Sequence, residues 1–121
     1  MYDAVYKYSL ETILDYINIT QKRFSEINTS NDFVATDYGK ILLDAIVTRL
    51  QAIGETIKNT SRKNTILQDT YPDIEWNKII RFRDFISHHY EMLDYEIVFE
   101  ICESYLPKLE LVIKTELGKF E

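Results

Sequence analysis

The chain has 121 residues, 45% of them hydrophobic and 28% charged, which suits one soluble globular domain over 1–121 and leaves no room for a second core. Its net charge of −6 and pI near 4.9 withhold the cationic surplus that generic nucleic-acid binding draws on, although a small local basic site stays open. With only 3 Gly and 2 Pro, a turn-rich β sandwich or barrel is disfavoured against long helices joined by few loops.

The first helix is expected from about Tyr2 to Ile27, because Leu10, Ile13, Leu14 and Ile17 fall at helical spacing and Phe24 and Ile27 extend their stripe. The run Asn28, Thr29, Ser30, Asn31, Asp32 competes for backbone hydrogen bonds and predicts a break. A second helix starts between Asp32 and Tyr38 and ends near Asn59. Leu42, Ala45, Ile46, Ile53 and Ile57 share one side of it, and Leu43, Val47 and Leu50 widen that side. A helix so apolar is expected to be largely surrounded by others. Residues 59–73 are polar and contain Pro72, which predicts a long loop with a helical turn around Ile66 and Leu67. Asp73 is the expected N-cap of a third helix, with Glu75 in its first turn. That helix carries Trp76, Ile79, Ile80, Phe82, Phe85 and Ile86.

Asp94 can cap a fourth helix, with Glu96 in its first turn and an apolar period running from Val98 through Ile101, Cys102, Tyr105, Leu106, Leu109, Val112 and Ile113. Pro107 falls inside this pattern and is expected to kink or split it. Gly118 is a plausible stop. Tyr95, Ile97 and Phe99 alternate like a strand, but the longer helical period outweighs them. The fold class is therefore all-α: an antiparallel bundle of four main helices, with room for a fifth short one.

Most familiar chemical constellations are absent. There is no Gly-rich phosphate loop, no Gly-x-Ser-x-Gly elbow and no zinc-spaced Cys/His set, since Cys102 stands alone. Neither a metal nor another cofactor is expected. One cysteine cannot form an internal disulfide, which fits a reducing, cytoplasmic location. The stretch MYDAVYKYSL has no signal-peptide pattern, and no segment is long and apolar enough to span a bilayer.

The densest cationic stretch is Lys78 followed by Arg81 through Tyr90, which holds both histidines, His88 and His89. Arg83 lies four residues after Ile79 and three before Ile86, so it points toward the apolar side of its helix. A guanidinium there needs an anionic partner, either an acid such as Glu55, a neighbouring helix end, or a ligand. His88 lies four residues after Asp84, so that carboxylate is expected beside the imidazole, raising its pKa and orienting it. Such a pair serves equally as a general base or as a surface salt bridge. Arg83 and His88 are five apart, about 140° around an ideal helix. They share a face only if the helix ends or bends near Ser87, or if two chains build one site.

The run Tyr71, Pro72, Ile74, Trp76, Ile79, Ile80, Arg83, Asp84, His88, Tyr90 resembles the HEPN superfamily, and within it the HepT-like toxins of prokaryotic toxin–antitoxin pairs. The motif there is Arg, four residues, His, one residue, Tyr, which Arg83, His88 and Tyr90 match. A second block, Asp44, Ala45, Arg49, Leu50, Ile53, Gly54, Glu55, resembles the long helix ending in Ile-Gly-Glu. The likeness runs from about residue 40 to 110.

The resemblance implies a homodimer whose Arg/His motifs line a shared cleft, and metal-independent endoribonuclease activity on an RNA substrate. It implies a small nucleotidyltransferase antitoxin as partner, which silences the toxin by transferring AMP to the motif tyrosine, here Tyr90. Arg83 and His88 are then the catalytic pair, with Asp84, Glu55 and His89 in support. Asp84 stands where many members have Asn, and Glu91 where an aromatic is common. The alternative is a non-catalytic adaptor or nucleotide-binding module of the same fold, toward which the net charge and Glu91 lean.

Overall fold

The computed structural model describes residues 4–120, and their apolar periods resolve into helices, with no strand among the described residues. Helix α1 covers Ala4–Phe24 and buries Tyr6, Leu10, Ile13, Ile17 and Thr20. Tyr2, the expected start of this helix, lies outside the described residues. The chain then breaks where the polar run predicts. Asp32 Oδ2 accepts the backbone N–H groups of Asn28 at 2.8 Å and Thr29 at 3.0 Å. These bonds hold the Asp32 carboxyl below its usual range. A one-turn helix, α2 (Asp32–Ala35), follows and buries Phe33.

Helix α3 spans Asp37–Lys63. It begins at Thr36, whose extended backbone and Oγ1, accepting from the Gly39 N–H at 2.9 Å, form an N-cap. Its end lies four residues beyond the expected Asn59. The reason is local. Thr60 and Ser61, read as loop formers, return their hydroxyls to the helix, donating to the carbonyls of Thr56 at 2.8 Å and Lys58 at 2.7 Å. Arg62 and Lys63 add cations to its last turn. The short fifth helix, α4, is Ile66–Thr70 and buries Leu67.

Helix α5 is Trp76–His89. Asp73 does not cap it; the N-cap position falls on Glu75, without a side-chain hydrogen bond. Its start is fixed instead by two aromatic side chains. Trp76 Nε1 donates to the Tyr71 carbonyl at 2.9 Å, and the Tyr105 hydroxyl donates to the Glu75 carbonyl at 3.0 Å. A single 3₁₀ turn, Tyr90–Met92, leads from α5 to the last helical stretch. There Asp94 caps as expected, its Oδ1 accepting the Glu96 N–H at 2.9 Å.

That stretch comprises α6 (Tyr95–Glu100), a π turn (Ile101–Tyr105) and α7 (Leu106–Gly118). Pro107 falls in the first turn of α7, directly after the π turn, so the helical pattern is divided there as expected. The Leu106 N–H reaches back five residues to the Ile101 carbonyl, and the widened turn accommodates a ring that would crowd the carbonyl four residues behind it.

The long helices pack antiparallel. Arg23 near the end of α1 donates to the Ala45 carbonyl near the start of α3 at 3.5 Å, and Tyr6 at the start of α1 donates to Glu116 near the end of α7 at 2.9 Å. Helix α3 is central, packed against both α1 and α5. It contributes Leu42, Leu43, Ile46, Val47, Leu50, Ile53 and Ile57 to the core. Glu116 is fully buried and accepts from both Tyr6 and Tyr71, while Lys119 pairs with it at 3.0 Å. Burial alone would raise its carboxyl pKa; the contacts with Lys119, Tyr6 and Tyr71 outweigh it and hold the carboxyl below the usual value. Among the described residues no helix is long and apolar enough to cross a membrane.

Candidate active site

Asp44, Thr48, Gln51, Glu55 and Lys58 recur every three or four residues, so they form one polar stripe along α3. Helix α5 lies against it, and Gly54 sets how closely. A Cβ at Gly54 would sit 2.7 Å from the Arg83 Cβ and 2.7 Å from the Ile79 carbonyl oxygen. Only glycine leaves space for that approach. The stem of Arg83 therefore rests on Gly54, and its guanidinium meets the next residue of α3.

There Arg83 Nη2 pairs with Glu55 Oε1 at 2.9 Å, and Nη1 pairs with Asp84 Oδ1 at 3.0 Å. Lys58 Nζ closes the chain on Asp84 at 3.1 Å. The row Glu55, Arg83, Asp84, Lys58 alternates in sign and is charge-balanced. Arg83 and then Lys58 hold the Asp84 carboxyl below the usual carboxylate range. The anionic partner expected for Arg83 is thus Glu55, joined by the adjacent Asp84. The side chain is 27% exposed, so the pair sits at the edge of the core rather than within it. Two carboxylate contacts leave part of a five-donor guanidinium available to an incoming anion.

His88 departs from expectation. Asp84 turns its carboxylate to Arg83 and Lys58, and His88 Nδ1 meets the Asp84 backbone carbonyl instead, at 2.9 Å. A carbonyl can only accept, so this contact assigns the hydrogen to Nδ1 and leaves Nε2 as the free ring nitrogen. The ring is exposed. His89, also exposed, has its ring 5.3 Å from that of Phe85, with Nδ1 4.0 Å from Glu91 Oε1. Because α5 stays helical through His89, nothing brings Arg83 and His88 onto one face within a chain.

Tyr90 opens the 3₁₀ turn, and its hydroxyl donates to Asp44 Oδ1 on α3 at 2.6 Å. The residue is 44% exposed. Partial burial and then the Asp44 carboxylate push the phenol pKa up to about 12. Sequence reasoning gave no role to Asp44 or Lys58. Their signal was present in the stripe spacing, which places both on the side of α3 that carries Glu55. Among the described residues no group of three or more His, Cys, Asp or Glu side chains is arranged to hold a metal ion.

The profile of the HepT-like ribonuclease family matches residues 13–116. Among curated proteins, the chain is 30% identical over 116 residues to a Methanocaldococcus jannaschii protein named "Gamma-glutamylcyclotransferase and putative RNase", covering 93% of this chain and 49% of that one. It therefore spans about half the length of that relative. It is also 30% identical over 101 residues to a "Putative RNase" of the same organism, covering 78% of this chain and 81% of the relative. A "Putative RNase" of Caldanaerobacter subterraneus subsp. tengcongensis is 30% identical over 110 residues, covering 91% and 92%. No solved structure gives a significant match. A family match across 13–116, over a helical bundle with the Arg/His motif seated on the Gly-Glu step of α3, places this chain in the HepT-like ribonuclease family.

Proposed function

We propose that this chain is a metal-independent endoribonuclease that acts as the toxin of a toxin–antitoxin pair. It works as a cytoplasmic homodimer and is silenced when a nucleotidyltransferase antitoxin transfers AMP to Tyr90. The observation that carries the catalytic part is His88: an exposed imidazole held through Nδ1, with Nε2 left to take or deliver a proton.

In this reading the RNA 2′-hydroxyl attacks the adjacent phosphorus. His88 of one protomer removes its proton, the bond to the 5′-oxygen breaks, and the second protomer's copy of the same histidine protonates the leaving oxygen. A cyclic phosphate and a free 5′-hydroxyl result. Arg83 binds the phosphate through donors not held by Glu55 and Asp84, and stabilises the charge that builds on it. Two protomers supply the groups that one helix sets about 140° apart. Exposed apolar side chains around the motif favour such a pairing: Phe85, Tyr90 and Met92 follow one another along it, and Ile41 lies one turn from Asp44. AMP on Tyr90 adds bulk and negative charge to the cleft.

The test is cleavage of RNA by the pure protein in EDTA. Wild type should degrade it, and Arg83→Ala and His88→Ala should not. Equal behaviour of the three overturns the ribonuclease reading. One observation favours the adaptor alternative: both Nη atoms of Arg83 already face carboxylates. A protein that binds the nucleotidyltransferase but leaves RNA intact would establish it.

A further inference from the structure

Tyr90 and Asp44 are 46 residues apart, and the packing of α5 on α3 joins them in the shortest side-chain contact of the candidate site. The contact is directional. The phenol is the donor and the carboxylate the acceptor, so the hydrogen of the Tyr90 hydroxyl already points at Asp44 Oδ1. Both residues are exposed, and the contact is open to a second protein.

We infer that Asp44 is the proton acceptor for nucleotidyl transfer to Tyr90. This rests on the reading of Tyr90 as the AMP acceptor and names the group that makes it one. A phenol whose pKa is pushed up to about 12 is almost wholly protonated at neutral pH, and its proton must leave as the oxygen attacks. In the transfer, Tyr90 Oη attacks the α-phosphorus of ATP and forms the new P–O bond. The bond to pyrophosphate breaks, and the phenolic proton passes to the Asp44 carboxylate and then to solvent. An aspartate accepting a hydroxyl proton in this way serves phosphoryl transfer elsewhere. Tyr90 is not alone in donating to a carboxylate, since Tyr6 and Tyr71 both donate to the buried Glu116. Tyr38 also donates to a carboxylate, Glu26, and lies near the start of α3, six residues before Asp44; of these tyrosines Tyr90 is the one that belongs to the Arg/His motif.

The experiment uses a purified small nucleotidyltransferase of the antitoxin type, with ATP, and follows intact mass over time for wild type, Asp44→Asn and Tyr90→Phe. Asn keeps an oxygen acceptor of the same size at an exposed position but is not a base. Wild type should gain AMP and Tyr90→Phe should not. Asp44→Asn should gain it ~100-fold or more slowly, the usual scale for loss of an acid–base group. Its rate should also climb with pH as phenolate forms unaided, whereas the wild-type rate should not, a difference that weakened docking would not produce. If wild type gains no AMP, or Tyr90→Phe gains it equally, the acceptor reading fails and this inference with it. If wild type is modified at Tyr90 and Asp44→Asn keeps its rate and pH profile, the acceptor reading stands and the role of Asp44 is overturned.

Discussion

Arg83→Ala separates a functional arginine from a structural one. The ion pair with Glu55 is 2.9 Å long, but its side chains are 27% and 43% exposed. Pairs of that exposure contribute up to about 1 kcal/mol, against roughly 3–5 kcal/mol for breaking a fully buried pair. Alanine keeps the Cβ that rests on Gly54, so packing between the helices survives. Glu55, once unpaired, is exposed enough to be hydrated, and Asp84 keeps Lys58 at 3.1 Å. The expected cost is therefore about 1 kcal/mol, a fall in Tm of about 3–5 °C for a chain of this length. RNA cleavage should fall far more, about 10²–10³-fold, the scale for removing a donor aimed at developing charge. Calorimetry beside a turnover assay on the same preparation reads both. A fall in Tm beyond about 10 °C, or cleavage lost only in proportion to the unfolded fraction, refutes the reasoning and makes Arg83 a structural tie.

Gly54→Ala should destabilise the fold. It forces a methyl against the Ile79 carbonyl and the Arg83 stem, a strain of about 1–3 kcal/mol that exceeds the helix-propensity gain of up to about 1 kcal/mol; a urea midpoint above wild type would contradict this. Glu116→Gln should weaken the protein at pH 7 more than at pH 3. The Glu116 carboxyl is held below its ordinary value of 4.5 in the fold, so its contribution is fully present above that value and is lost as pH falls through the folded-state pKa. Denaturation midpoints at the two pH values read the gap, and a gap that widens toward acid would reverse the sign. His88→Ala should abolish RNA cleavage while His89→Ala retains most of it, because only His88 has its ring held by the α5 backbone; the opposite ranking would reassign the base.

What was legible in the sequence was whatever repeats along one helix. The buried faces of α1 and α3, the break at Asp32 and the Asp94 cap all follow from spacing within a few residues. The structure departs from those spacings where local chemistry has two outlets. Thr60 and Ser61 favour loops when their hydroxyls seek backbone, yet here the backbone they find is their own helix. Asp84 lies one turn from the His88 imidazole, but Arg83 and Lys58 take its carboxylate.

Contacts between helices depend on register, which no single period encodes. Gly54 supplies it. Once its bare Cα admits Arg83, Glu55 and Arg83 become paired positions on two antiparallel helices. From there the chain runs eleven residues back to Asp44 and seven forward to Tyr90. At 1.5 Å per residue, these are about 16 Å along α3 and about 10 Å along α5. The difference, about 6 Å, is within the reach of a tyrosine side chain, so its hydroxyl arrives at Asp44. The charge row at Arg83 and the hydrogen bond at Tyr90 are therefore two readings of one register. A substitution at Gly54 should disturb both ends, although it touches only one.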